Sequence, residues 1–417
     1  MTKIIEPIKG GVSGEILAPP DKSISHRALI LGAIAEGVSE ISNLLIADDV
    51  MATVACLRQL GVEIEINGED ARLVGRGLWG LTKPQDALDC GNSGTTMRLL
   101  AGVLAGQPFD SVLTGDASLR ARPMGRIIEP LELMGARIDS EGGFAPLTIH
   151  GAKLTGINYH VPMQSAQVKS AVQLAGLFAK GQTTVSGADM ARKHTEIMIR
   201  NMRVKGKLVG QKINVPGDVS SAAFFVVLGL LHAAQGLRIK NVGFSPTRIG
   251  IIGALKAMGG DIVLEAKAME GGEPVGDIIV KKSTLTGIDV NENMAAMMID
   301  EIAILAVAAA FARGRSSFTG LAELRLKESD RLNAIVSELS KIGVDIRLDG
   351  EGMIIEGGKP IKGALLDSHS DHRIAMSLAI AATCACSPTE IQNADVVNVS
   401  FPNFFEILTS IIGDNVV

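Results

Sequence analysis

The sequence predicts an α/β (α+β) fold, built from six related helix-and-strand units shared between two domains. Three observations carry this. A helix closed by glycine and followed by a strand recurs along the chain, Ala- and Leu-rich helices opened by a polar residue recur at near-constant spacing, and 417 residues exceed what one hydrophobic core usually supports.

The first series is CLRQLGVEIEI, PLELMGARIDS, ALKAMGGDIVL and ELSKIGVDIRL. Each reads as the last turns of a helix, a left-handed stop at Gly61, Gly135, Gly259 or Gly343, and then the alternating apolar residues of a strand. A weaker copy, IRNMRVKGKLV, carries Arg203 where the glycine should stand, and LTSIIGDNVV offers a sixth stop at Gly413.

The second series is DKSISHRALILGAIA, GNSGTTMRLLAGVLA, QSAQVKSAVQLAGLFA, GDVSSAAFFVVLGLL, DEIAILAVAAAFA and DHRIAMSLAIAAT. Their leading polar residues, Asp21, Asn92, Gln164, Asp218, Asp300 and Asp371, stand 71, 72, 54, 82 and 71 residues apart and read as helix caps. The unit from 164 to 218 is the short one, so a strand or hairpin near 203–210 is expected to be missing.

Apolar residues make up 47% of the chain, with one Trp and one Tyr, so the core must be built from Ala, Val, Ile, Leu and Met with little aromatic filling. A net charge of -5 with mixed signs gives no case for nucleic acid or an anionic membrane as partner. Cys56, Cys90, Cys384 and Cys386 form no CxxC pair and have no histidine at zinc spacing, so no metal site is expected. The longest apolar stretch, 219–234, contains His232 and falls short of a membrane span. No signal core opens the sequence, and a cytoplasmic location is expected.

Periodicity alone would equally suit a solenoid scaffold. The helix starts argue otherwise, because they carry Lys22, Arg27, Arg98, Lys169 and Arg373 in the first turn or two. A cation beside the positive end of a helix is unfavourable unless an anion compensates it, so these starts predict anion sites.

Each motif has a plain reading beside the chemical one. DKSISHR places Ser23 and Arg27 four apart, on one helical face where a phosphate could meet both, but alone it could be an exposed basic helix start. GNSGTTMR can direct backbone N–H groups at an anion with Arg98 within a turn, yet it is no nucleotide P-loop and could be a tight turn. RARPMGR sets Arg120, Arg122 and Arg126 around Pro123, suited to carboxylate or phosphate or simply a solvated loop. LKESDR puts Lys327 and Arg331 four apart, with Glu328 and Asp330 between, as on any charged helix surface. Asp300 and Glu301 stand where an N-cap would, and a carboxylate among cations can also serve as a base. His372 reads as a core or capping histidine, and Arg373 is the more informative residue. Nothing marks a dinucleotide, pyridoxal or metal cofactor, so the chemistry must use side-chain acids and bases on small, multiply anionic ligands.

Along nearly the whole chain stand, in order, DKSISHRALILGAIAEG, LDCGNSGTTMRLLAG, LTGDASLRARPMGR, SAQVKSAVQLAGL, VPGDVSSAAFF, LRLKESDRL, SDHRIAMSLAI and SFPNFFE. With these motifs the sequence resembles the 5-enolpyruvylshikimate-3-phosphate synthase family. The resemblance implies a two-domain enolpyruvyl transferase fold, each domain of three βαβαββ units with helices converging on an interdomain cleft. Domain one would be 1–20 with 218–417, and domain two 21–217 with a shortened third unit. The implied reaction passes the enolpyruvyl group of phosphoenolpyruvate to the 5-hydroxyl of shikimate 3-phosphate, releasing phosphate by addition and elimination, on the route to chorismate and the aromatic amino acids.

By the same resemblance Lys22, Ser23, Arg27, Ser165, Ala166, Gln167, Asp300 and Lys327 would hold shikimate 3-phosphate. Lys22, Asn92, Gly94, Arg122, Gln167, Arg331 and Arg373 would hold phosphoenolpyruvate. Asp300 would take the hydroxyl proton, while Lys22 and Glu328 would serve the proton transfers at C3 and at phosphate departure. No cofactor and no metal are implied, and a monomer is expected. Two positions depart from the pattern: Pro20 stands where many relatives have glycine, and Val399 and Ser400 stand where some carry a lysine. A transferase acting on UDP-N-acetylglucosamine would show a cysteine in the loop matching DASLRARP, and this loop has none.

Overall fold

The structure, a computed structural model, describes residues 1–412. The chain divides into two compact units, one of Met1–Pro19, Pro216–Met269 and Glu273–Val417, the other of Pro20–Val215 with Glu270–Gly272. Each has its own apolar core.

Three buried helices run through each core. In the 20–215 unit they are Lys22–Ala33, Gly94–Leu104 and Ala166–Gly176; in the other, Val219–His232, Ile302–Phe311 and His372–Ala382. Their composition explains the burial: a helix that is apolar all round has no face to give to solvent, and every residue from Ile302 to Ala310 is buried. Gly102 lets two of them approach closely, since a Cβ there would lie 2.3 Å from the Ala171 carbonyl oxygen.

The caps sit at or one residue beyond the expected positions. Asp21, Asp218 and Asp371 accept backbone N–H bonds as expected, but Ser93 and Ser165 take the place of Asn92 and Gln164. At the fifth helix Glu301 is in the cap position without a side-chain cap bond, and Asp300 does not cap at all. The glycine stops are as read: Gly61, Gly135, Gly259 and Gly343 all have φ between +84° and +99°, a conformation that penalises any Cβ. Gly413 lies outside the described residues. Arg203 keeps an extended backbone, and the turn there passes instead through Lys205 and Gly206, both at positive φ.

Among the described residues the strands form seven sheets. Four of them share one pattern. Leu88–Asp89, for example, runs parallel to Ser111–Thr114 across the Gly94–Leu104 helix, and Phe144–His150 and Arg137–Glu141 then add antiparallel. A parallel pair needs such a crossover, and the helix supplies it. The sheet of Asn158–His160 and Thr184–Ser186 has two strands, and the stretch near 203–210, where a strand or hairpin was expected to be missing, forms a short hairpin of its own, Arg203–Val204 with Lys207–Leu208.

Two sheets take their parallel edge from far away in sequence. Gly14–Leu17 pairs with Leu237–Gly243, and Lys212–Asn214 pairs with Glu36–Ser42. Lys3–Ile5 also pairs at long range, antiparallel to Thr389–Gln392.

The expectation of little aromatic filling fails in one place. Phe224, Phe225, Phe401, Phe404 and Phe405 pack on one another with ring centroids 5.2 to 6.0 Å apart. Edge-to-face contact among rings adds to simple burial, so phenylalanine clusters where a helix and the C-terminal segment meet. Among the described residues no helix is long and apolar enough to cross a membrane.

Candidate active site

The helix starts of the 20–215 unit carry several hydrogen-bonded clusters of polar side chains. Lys22 Nζ lies 2.8 Å from Asp49 Oδ2, and Asp49 is almost fully buried. One turn further along each helix, the His26 ring bonds Thr53 Oγ1 at 2.7 Å; Thr53 meets Thr96 at 2.6 Å, and Thr96 donates to the cap Ser93 at 2.8 Å. Burial, with Lys22 and Arg27 nearby, drives the His26 pKa well below the ordinary histidine value and keeps the ring neutral.

Arg27 is buried and donates to Thr195 Oγ1 at 2.7 Å, Ser170 Oγ at 3.0 Å and the Ser23 carbonyl at 2.9 Å. It thereby ties the starts of two core helices to the His194–Met202 helix. Arg192 reaches Ser23 Oγ at 3.1 Å, and Lys169 pairs with Glu196. Arg98 donates to Gln167 Oε1 at 2.7 Å, and Gln167 in turn donates to Thr95 Oγ1 at 3.0 Å. Arg122 donates to Asn92 Oδ1 at 2.5 Å, and Asn92 to Asp116 at 2.8 Å. Ser165 caps the helix that Ala166 begins.

Gly94 lies under this group. A Cβ on it would come within 2.7 Å of Arg98 Nη1 and 3.3 Å of Arg122 Nη1, so a larger residue would shift the guanidiniums that stand over the helix start.

In the other unit the group has a different chemistry. Asp300 is the centre: Oδ1 lies 3.4 Å from Lys327 Nζ and 3.6 Å from Arg331 Nη1, and Oδ2 lies 4.0 Å from Arg373 Nη2. Arg373 also faces Glu301 at 3.8 Å. Arg331 bonds Glu328 at 2.5 Å and grips Asp371 through Nε at 2.8 Å and Nη2 at 3.2 Å. Burial works against the charge on Arg331, but Asp371, Glu328 and Asp300 outweigh it and hold its pKa above the ordinary arginine value.

LKESDR is not one helical face. Lys327 ends a 3-10 helix, Ala322–Leu326, and Asp330 caps a new helix, Arg331–Lys341. Lys327 and Arg331 thus reach the same carboxylate from two separate elements.

Asp49, Thr53, Ser170, Thr195 and Arg248 were not singled out by the sequence reading. Arg248 is buried and bonds Asp218 at 2.6 Å and Ser220 Oγ at 2.7 Å, which closes the start of the Val219–His232 helix. The partners of Lys22 and Arg27 lie 27 and 168 residues away, so no local spacing pointed to them. Among the described residues no group of three or more His, Cys, Asp or Glu side chains suits a metal ion.

The family model for EPSP synthase (3-phosphoshikimate 1-carboxyvinyltransferase) matches residues 7–408. The chain belongs to the EPSP synthase family. It is therefore an enolpyruvyl transferase of aromatic biosynthesis through the shikimate pathway. The 3-phosphoshikimate 1-carboxyvinyltransferase of Carboxydothermus hydrogenoformans is 50% identical over 424 residues, covering 98% of this chain and 99% of that one. That of Thermoanaerobacter sp. strain X514 is 48% identical over 409 residues, covering 95% and 96%. EPSP synthase from Acinetobacter baumannii superposes with a TM-score of 0.86 at 43% identity, covering 98% of both chains. The enolpyruvyl transferase NikO from Streptomyces tendae superposes at 0.77 with 16% identity, covering 98% and 97%, and shows a shared fold alone. The two-domain EPSP synthase fold, with its βαβαββ units, is thus the fold of this chain.

Proposed function

We propose that this EPSP synthase-family chain transfers the enolpyruvyl group of phosphoenolpyruvate to the 5-hydroxyl of shikimate 3-phosphate with Asp300 as the base. The hydroxyl proton passes to Asp300 as the oxygen bonds to C2, and C3 takes a proton to give a tetrahedral adduct. Loss of a C3 proton then expels phosphate and leaves the enol ether. Lys22 and Glu328 are assigned these C3 transfers.

The observation that carries the reading is the set of three cations, Lys327, Arg331 and Arg373, within 4.0 Å of the one carboxylate of Asp300. Fixed cations stabilise negative charge as it develops, without reorganising. A protein that only bound anions would gain nothing from carboxylates set among its binding cations. Lys22, Ser23, Arg27, Ser165, Ala166, Gln167, Asp300 and Lys327 are assigned to shikimate 3-phosphate. Lys22, Asn92, Gly94, Arg122, Gln167, Arg331 and Arg373 are assigned to phosphoenolpyruvate. The domain limits 1–20 with 218–417 and 21–217, a cytoplasmic location and a monomeric state belong to the same proposal.

The test is phosphate release from phosphoenolpyruvate on addition of shikimate 3-phosphate. Asp300→Ala is expected to lower turnover by roughly two to four decades while ligand affinities stay within about tenfold. Unchanged turnover would remove Asp300 from the mechanism.

A further inference from the structure

Asp371 and Arg373 reach their places through a turn that is held from outside. The chain leaves strand Leu365–Asp367 and passes through His369 and Ser370, at φ +53° and +54°, before Asp371 caps the helix bearing Arg373. Two consecutive non-glycine residues in the left-handed region are unfavourable, and such a turn persists only where its surroundings over-determine it.

One helix supplies that restraint at two points seven residues apart, and so on one face. Arg331, its first residue, holds the far end of the turn through the paired bonds to Asp371. Glu338 holds the near end. Its carboxylate is fully buried and accepts from the Asp367 backbone N–H at 3.0 Å and from His369 Nε2 at 2.8 Å. Lys341 Nζ, at 2.7 and 2.8 Å, and Ser337 Oγ, at 3.3 Å, also donate to it. Burial alone would raise the Glu338 pKa, but Lys341, the Asp367 N–H and His369 outweigh it and hold the group below the ordinary carboxylate range. Glu338 is thus placed to hold the turn that sets Asp371 and Arg373.

We infer that Glu338 is a positioning residue for enolpyruvyl transfer: through His369 and the Asp367 N–H it fixes the 367–371 turn, and so places Arg373 and the Asp371 brace behind Arg331. Both arginines are assigned above to phosphoenolpyruvate, so the inference rests on that reading.

Steady-state kinetics of the full-length enzyme test it. Glu338→Gln removes the charge at constant shape, and the KM for phosphoenolpyruvate is expected to rise about tenfold, with the KM for shikimate 3-phosphate within about twofold of the parent. His369→Asn tolerates the left-handed backbone but cannot reach Glu338, and it should raise the same KM by about threefold. The decisive variant is Ser370→Gly placed on Glu338→Gln. Glycine adopts positive φ freely, so it should bring the phosphoenolpyruvate KM back to within about threefold of the parent.

Rescue by glycine supports the turn as the intermediary. Parallel changes in both KM values and in Tm, without rescue, would make Glu338 a stabilising residue only and overturn the inference. Arg373→Gln separates the two levels. If it raises the phosphoenolpyruvate KM and the Glu338 and His369 variants do not, the positioning role falls alone; if it leaves that KM unchanged, the assignment of Arg373 falls first.

Discussion

The two groups of helix-start side chains are built from similar residues and differ in what the cations touch. In the 20–215 unit the bonds described for Arg27, Arg98 and Arg122 run to hydroxyl, amide and carbonyl oxygens, while Lys22 and Lys169 meet Asp49 and Glu196. In the other unit Lys327, Arg331 and Arg373 interleave with Asp300, Glu301, Glu328 and Asp371. A neutral acceptor orients a guanidinium without cancelling its charge, which suits anion binding. An interleaved carboxylate lowers the net charge and supplies proton acceptors, which suits acid and base work. The fold repeats, and the partners at each helix start make the two groups electrostatically different.

The largest test of this contrast is Arg331→Met. Arg331 is 1% exposed and its loss removes the buried ion pair to Asp371, so unfolding in urea should show a cost of about 3–5 kcal/mol. Arg122→Met, whose described bonds end on the neutral oxygens of Asn92 and Ser118, should cost less than half as much. Equal costs would erase the distinction.

Lys22→Met should lower turnover by about two decades, worth about 2.7 kcal/mol in the barrier, and Asp49→Asn should lower it less. An Asp49→Asn enzyme more impaired than Lys22→Met would make Asp49 the active partner of the pair. Gly94→Ala pushes a methyl group against two guanidiniums, and the KM for phosphoenolpyruvate should rise about tenfold with that for shikimate 3-phosphate little changed.

The smallest effect is on acid stability. Burial, then the Lys282 charge, lowers the His232 pKa to about 4, below the ordinary histidine value near 6.5. The unfolded chain therefore binds the proton first, so stability present above that ordinary value is lost as pH falls toward the folded-state value. Between pH 7 and pH 6 this amounts to about 0.7 kcal/mol, and it should vanish in His232→Gln. His26, in the other unit, has the same sign. A two-step acid transition, with His232→Gln delaying one step only, would show the units yielding separately.

What the sequence made legible was local. Gly61, Gly135, Gly259 and Gly343 announced helix ends because the stop needs a backbone that only glycine adopts without penalty. Asp21, Asp218 and Asp371 announced helix starts, while Asn92 and Gln164 were each displaced by a serine one residue on whose hydroxyl meets the N–H three residues later. Asp300 was read as a helix cap, and the cap position belongs to Glu301, while the Asp300 carboxylate faces three cations. The break within LKESDR had a signal, Asp330 three residues before Asn333, which the even spacing of charges concealed. Long-range partners left no trace: Arg331 and Asp371 lie 40 residues apart, and Arg27 and Thr195 168. Nor did the phenylalanine cluster, because 3% aromatic content averages over the chain and is silent on where the rings gather.

The distant strand pairings bear on the order in which the protein is made. A nascent chain has every sheet partner of the 36–76 region once Asn214 has emerged, so that region can finish folding early. Gly14–Leu17 must wait for residues 237–240, and Lys3–Ile5 for residues 389–391. Residues 3–17 are thus made long before their partners and are among the last to find their place, so they are the segment a holding chaperone would need to shield longest.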